Sequence, residues 1–280
     1  MLTPQTRIPK SMNTPQHPPK TGTVYLIGSG PGALDLLTLR AARLIGEADA
    51  VVYDNLIPDG VLDLAPANAE KIYVGKESSK HTVPQEELNL LLVRLAHEGK
   101  KVVRLKGGDP FIFGRGGEEI ETLFEFGVPF EVVPGVTAAA GCAAYGGIPL
   151  THREHAQTVT FATGHLKDGT INLDWPALAR PKQTVVFYMG VGGIAEICRQ
   201  MIAHGLPGSH PAAVVQNGTT SRQRVLSADL DTLAGKVDAA GITAPALIIV
   251  GTVVSLQKKL QWFEPGVVSG NQGDRKQNAK

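Results

Sequence analysis

Cysteine, net charge and long apolar runs are all scarce in this chain, and each scarcity excludes something. Only two of the 280 residues are cysteines, Cys142 and Cys198. They stand far apart in apolar surroundings without metal-ligand spacing, which favours two buried, reduced thiols over a disulfide or a metal site. The 27 basic and 26 acidic side chains leave a net charge of +1. No general attraction to nucleic acid or to an anionic membrane is therefore expected, and any cationic site must be a local pocket. No stretch approaches the roughly 18 apolar residues of a membrane-spanning helix. The first residues lack the apolar core of a secretory signal, so the expectation is a cytoplasmic protein.

What is present is an ordinary globular composition, 42% hydrophobic and 19% charged, long enough for one large domain or two smaller ones. Residues 1–21 carry Pro4, Pro9, Pro15, Pro18 and Pro19 and read as a disordered tail, as do the polar residues 266–280. Between them, short apolar strands alternate with helices. Strands are expected at residues 24–27, 50–53, 72–74, 101–105 and 130–133, and helices at 34–45, 85–98, 118–126 and 138–145. After Pro149 a second series follows, with strands at 157–163, 184–188, 212–216, 222–227 and 246–250, and helices at 194–204, from 230, and at 253–260. Such alternation predicts two α/β domains, 22–136 and 137–265, the second with a mixed sheet. Ligands in such folds lie at strand C-terminal ends or between domains.

Chemistry-bearing residues cluster at those strand ends. Residues 102–106 run straight into Gly107-Gly108-Asp109-Pro110-Phe111-Ile112-Phe113-Gly114-Arg115-Gly116-Gly117-Glu118-Glu119, a loop whose backbone a ligand can lie against. Glycines on both sides of Arg115 favour a guanidinium that faces a ligand. Glu118 and Glu119 suit the first turn of a helix, and one of them could orient Arg115. Asp54 and Lys76 also end strands; a solvated turn aspartate and an exposed lysine are their ordinary alternatives. Gly28-Ser29-Gly30-Pro31-Gly32-Ala33 fits a dinucleotide fingerprint, which makes a nicotinamide-dependent oxidoreductase the rival reading. Pro31 opposes it, because proline removes an N–H from the phosphate nest. Thr151-His152-Arg153-Glu154-His155 has no third ligand at zinc spacing and suits an anionic substrate better.

Taken in order, these segments resemble the uroporphyrinogen-III C-methyltransferases of the tetrapyrrole methylase family. The resemblance rests on residues 28–32 with Leu36-Leu37-Thr38, Tyr53-Asp54-Asn55, residues 107–119, residues 134–138, Thr151-His152-Arg153, Thr163-Gly164-His165, Tyr188-Met189-Gly190 and residues 245–251. It implies two α/β domains with S-adenosylmethionine in the cleft between them, no metal, and a homodimer. It also implies methyl transfer to C-2 and C-7 of uroporphyrinogen III, giving precorrin-2, on which sirohaem, cobalamin and haem d1 routes draw. Pro31, Gly107, Gly108, Asp109, Ile112, Thr137, Ala138, Met189, Gly218 and Ala244 are the implied cofactor contacts. Asp54, Lys76 and Arg115 are the implied catalytic residues, and Glu118, Arg153 and His152 the implied substrate contacts. No attached domain for later steps is evident, so methylation alone is expected. A cofactor-binding sensor without catalysis is the third reading, opposed by the joint presence of Asp54, Arg115 and Arg153.

Overall fold

In the computed structural model, residues 21–75, 84–164 and 171–266 are described. The expected tails lie outside them apart from Thr21 and Gly266, and so do Lys76 and His165. Two five-stranded sheets organise the rest. The first holds β1 (Val24–Gly28), β2 (Ala50–Tyr53), β3 (Glu70–Tyr73), β4 (Val102–Lys106) and β5 (Phe130–Val133), in the order β3-β2-β4-β1-β5. Every pairing in it is parallel, with Val24 opposite both Val102 and Phe130. All its strands therefore end at one edge. The second sheet holds β6 (Thr158–Thr163), β7 (Gln183–Tyr188), β8 (Pro211–Gln216), β9 (Arg224–Asp229) and β10 (Ala246–Val250), ordered β6-β7-β10-β8-β9. Only β6 and β7 run parallel there, so this sheet is mixed, as the polar alternation of its strands predicts.

Eight helices accompany the sheets among the described residues: α1 (Leu39–Ile45), α2 (Gln85–His97), α3 (Gly116–Glu125), α4 (Ala138–Tyr145), α5 (Trp175–Leu178), α6 (Ile194–Ala203), α7 (Leu230–Ala239) and α8 (Gln257–Leu260). Period-two alternation along the parallel strands assigns each side chain to one of two cores. Val24, Leu26, Val52 and Val102 pack with Leu88, Leu92, Val93 and Leu123 of α2 and α3. Ile27, Val51, Val103 and Leu105 pack on the other face with Ala41, Leu44 and Ile45 of α1. By the same parity Asp54, Arg104 and Lys106 belong to the α2–α3 face. The second sheet is covered by α5, α6 and α7 on one side and by α4 on the other.

Several local expectations are corrected. Residues 34–45 are not one helix: Leu34–Leu36 is a 3₁₀ turn, and Leu37 and Thr38 are extended. The Thr38 Oγ1 accepts from Ala41 N at 3.2 Å and starts α1 afresh at Leu39, a side-chain cap inside an unbroken apolar pattern. Residues 253–260 likewise divide into a 3₁₀ segment, Thr252–Leu256, and α8. Strand β9 starts at Arg224 rather than Arg222 and runs to Asp229, which lies opposite Pro211. The strand expected at 72–74 begins earlier, at Glu70. The 3₁₀ turns Val61–Leu64 and Val191–Gly193 and the four-residue α5 were not anticipated, being too short to show a period.

Both cysteines are buried and free. Burial pushes the Cys142 thiol up to about 12 and Cys198 to about 11, so neither supplies thiolate near neutrality. A chromogenic disulfide reagent at pH 8 should titrate no thiol in the native protein and both in urea. Rapid reaction of even one native equivalent would contradict this packing.

Candidate active site

Three glycines let three segments meet backbone on backbone where β1, β4 and β5 end. A Cβ on Gly28 would stand 2.6 Å from Gly108 O and 2.6 Å from Gly135 N, and one on Gly135 would stand 2.3 Å from Gly108 O. No side chain fits between these segments. Gly30 and Gly108 form a two-way bridge, Gly30 N donating to Gly108 O at 3.2 Å and Gly108 N to Gly30 O at 2.8 Å. Gly108 has φ +66 and lies against the start of α4, with Ala138 N 3.4 Å from its would-be Cβ. The Asp109 carboxylate fastens the junction, accepting from Phe111 N at 2.9 Å and Gly135 N at 3.1 Å. Asp109 thus organises the loop through its carboxylate.

The second sheet supplies the opposite wall. The Tyr188 hydroxyl, at the end of β7, bonds Thr137 Oγ1 at 2.6 Å and accepts from Ala139 N at 3.0 Å. The Phe113 ring packs on the Tyr188 ring at 4.9 Å, and Ile112 and Ala138 pack on the same cluster. Pro31 lies against α4, where a Cβ on Gly141 would come 2.4 Å from its Cγ. Ala33 N donates to Thr219 Oγ1 at 2.8 Å, while Gly32 faces the Gly218 carbonyl. Asn217 N donates to Pro245 O at 3.0 Å, one residue beyond Ala244. Phe113, Arg115, Met189, Asn217 and Thr219 all have positive φ. Strained backbone of this kind persists where surroundings over-determine it and concentrates at ligand sites. Exposed Met189, half-buried Ile112 and side-chain-free Gly107 offer apolar surface and open backbone together, a mixture suited to a nucleoside-sized ligand. The dinucleotide rival fails on geometry. Its pyrophosphate needs a helix N-terminus at the glycine turn, whereas α1 starts only at Leu39.

Beneath the first sheet's edge lies a charged group that sequence reasoning missed. Arg104 and Lys106, on the α2–α3 face of β4, are each 5% exposed, and Glu119 of α3 is fully buried. Glu119 Oε1 accepts from Lys106 Nζ at 2.6 Å, Gln85 Nε2 at 3.2 Å and Arg104 Nε at 3.4 Å. Arg104 Nη2 reaches Asp54 Oδ2 at 3.3 Å. Burial, with the neighbouring Arg104 charge second, pulls the Lys106 pKa below its ordinary value against the opposing Glu119. The polar–apolar alternation of Arg104-Leu105-Lys106 in an otherwise buried parallel strand was the available signal, since such strands read as continuous apolar runs. Asp54 is half-buried and doubly held: its Oδ1 accepts from Leu56 N at 3.0 Å in an Asx turn and its Oδ2 meets Arg104.

Arg115 and Glu118 sit apart from this buried group, on the exposed side of α3. Arg115 caps the helix in left-handed backbone and pairs bidentately with Glu118, Nε to Oε1 at 2.9 Å and Nη2 to Oε2 at 2.5 Å. The hydrogen bond from Arg115 holds the Glu118 carboxyl below its ordinary pKa, and Glu118 raises that of Arg115. The glycines flanking Arg115 have a packing cause of their own. Added Cβ atoms on Gly114 and Gly116 would meet Pro110 O at 2.7 and 2.5 Å. His152 and Arg153 lie on a tight turn, where His152 Nδ1 accepts from Glu154 N at 3.2 Å and its ring faces His155 at 5.0 Å. Arg153 is exposed.

The model of the tetrapyrrole (corrin/porphyrin) methylases matches residues 23–234, and the chain belongs to this family. A sirohaem synthase of Methylobacillus flagellatus is 64% identical over 244 residues, 87% of this chain and 52% of the relative. The chain spans about half the length of the curated relatives it matches. Among solved structures, a uroporphyrin III C-methyl transferase of Thermus thermophilus is 44% identical, with a TM-score of 0.71 over 84% of this chain and all of the other. A Thermus thermophilus enzyme of that name complexed with S-adenyl homocysteine is 42% identical, with a TM-score of 0.71 over 83% of this chain and 93% of the other.

Gly135→Ala should destabilise the protein by about 1–3 kcal/mol through overpacking against Gly108, read as a lower midpoint in urea with an unchanged slope. An unaltered midpoint would show that the junction yields freely.

Proposed function

We propose that the chain is an S-adenosylmethionine-dependent methyltransferase acting at C-2 and C-7 of uroporphyrinogen III, with precorrin-2 and S-adenosylhomocysteine as products. The observation that carries this reading is the meeting of Gly107-Gly108-Asp109, Thr137-Ala138 and Tyr188-Met189 at one edge. Support comes also from the likeness to the Thermus thermophilus enzyme complexed with S-adenyl homocysteine. The cofactor supplies a methyl group on a sulfonium. The protein's own contribution is alignment of that group with a pyrrole carbon, and positioning of this kind contributes roughly 7–11 kcal/mol. The new C–C bond takes its electrons from the ring, those of the broken C–S bond stay on sulfur, and the ring system then releases one proton.

Pro31, Gly107, Gly108, Asp109, Ile112, Thr137, Ala138, Met189, Gly218 and Ala244 line the cofactor side of this reading. Arg115, Arg153 and His152 offer cations and donors to the substrate's eight carboxylates, with Glu118 orienting Arg115. Arg115, held charged by Glu118, steers and stabilises charge rather than accepting the proton, and half-buried Asp54 is the acceptor. Lys76 keeps the proton-handling role that the family pattern implies. Residues 22–136 and 137–265 are the two domains, and a homodimer would cover exposed apolar side chains such as Phe124 and Trp262.

Purified protein with uroporphyrinogen III and methyl-labelled S-adenosylmethionine, under anaerobic conditions, should incorporate two methyl groups per substrate. Arg115→Lys should lose most of that activity, on the order of 100-fold, while keeping affinity for S-adenosylhomocysteine. No incorporation by the parent protein overturns the function, and a fully active variant overturns the role of Arg115.

A further inference from the structure

The buried charges beneath the sheet edge are unusual for the places they occupy. Arg104 and Lys106 point into the face where their strand neighbour Val102 packs on α2 and α3, and two cations there carry a large desolvation cost. A purely structural solution would use apolar residues, which are often neutral or stabilising in place of a buried ion group. The group is also aimed. Glu119 Oε1 gathers Lys106, Gln85 and Arg104, while its Oε2 has no hydrogen-bond partner among the described residues. Arg104 then spends Nη1 on its neighbour's carbonyl, Leu105 O at 2.7 Å, and Nη2 on Asp54 at 3.3 Å. Asn89, donating to Thr122 Oγ1 at 2.9 Å and accepting from Gln85 Nε2 at 3.0 Å, ties the two helices behind the group. Each member is fixed by another, and the series ends on the one carboxylate that emerges at the edge.

We propose that Arg104 and Glu119 are positioning residues for Asp54: Glu119 holds the Arg104 guanidinium, and Arg104 fixes the Asp54 carboxylate toward the site. The inference rests on the reading of Asp54 as proton acceptor. Oδ1 is held by Leu56 N and Oδ2 by Arg104, so the carboxylate plane is locked. A carboxylate has about four lone-pair sites, which leaves acceptor capacity on both oxygens for the substrate's proton. Lys106 balances Glu119, so that two cations meet two carboxylates.

A double-mutant cycle on the full chain tests this, reading kcat and KM for uroporphyrinogen III together with S-adenosylhomocysteine affinity. Asp54→Asn should lower kcat by about 100-fold or more, the usual scale for a positioned acid–base group. Arg104→Met should lower kcat by roughly 30-fold, with KM and cofactor affinity within about threefold, and Arg104→Lys should restore part of the loss. Introduced on top of Asp54→Asn, Arg104→Met should add less than about threefold, because there is no carboxylate left to position. Glu119→Gln, nearly isosteric, carries the same cycle should Arg104→Met fail to fold. Additive losses, or cofactor affinity falling in parallel with kcat, would overturn the positioning role while leaving Asp54 as acceptor. A fully active Asp54→Asn variant would overturn both.

Discussion

The contact on which the rest of the structure depends is the side-chain-free junction of Gly28, Gly108 and Gly135. A Cβ on Gly28 or Gly135 would come within 2.6 Å of the facing backbone and force the strand ends apart, straining the Gly30–Gly108 bridge and the Asp109 clasp. From this junction the loop after β4 is thrown across to the second sheet, where Phe113 meets Tyr188. The loop after β1 reaches α4 through Pro31 and the β8–β9 turn through Ala33 and Gly32. Two sheets with separate cores thus share one seam of backbone. Polar atoms along it are fastened by a carboxylate and a phenol rather than by packing alone.

Two kinds of electrostatics operate on either side of that seam. Arg115 and Glu118 pair in solvent, where an ion pair contributes little to stability and can exchange partners with an anionic substrate. Arg104, Lys106 and Glu119 pair out of solvent and hold half-buried Asp54 at their margin, where rearrangement is costly and geometry is kept. The division suits the proposed methyl transfer to a polycarboxylate, with adaptable cations outside and the proposed proton acceptor at the margin of the buried group.

Much of this was legible in the sequence. The parallel order of the first sheet follows from the alternation of apolar strands and helices, and the mixed second sheet from the polar alternation at residues 157–163 and 222–227. Gly28-Ser29-Gly30-Pro31-Gly32 marked the seam, though its neighbours could only come from the folded chain. What stayed hidden had physical causes. Thr38 capped a helix inside a continuous apolar pattern, and the flanking glycines of Arg115 answer also to the Pro110 carbonyl, a contact only the folded chain shows. Glu119 looked like an ordinary first-turn acid, because its burial depends on strand parity and on how α3 rotates over β4. Only the charges of Arg104 and Lys106 in a strand that should be apolar on both faces pointed that way.

Under the proposed function the methyl donor lies in the seam between the two sheets. A crystal structure of the protein with S-adenosylhomocysteine tests it most directly. The ligand should lie against Gly107-Gly108-Asp109, Thr137-Ala138, Met189 and Gly218, with the Gly28–Gly108–Gly135 junction unchanged. A ligand bound elsewhere, or a junction that must open to admit it, would contradict the account.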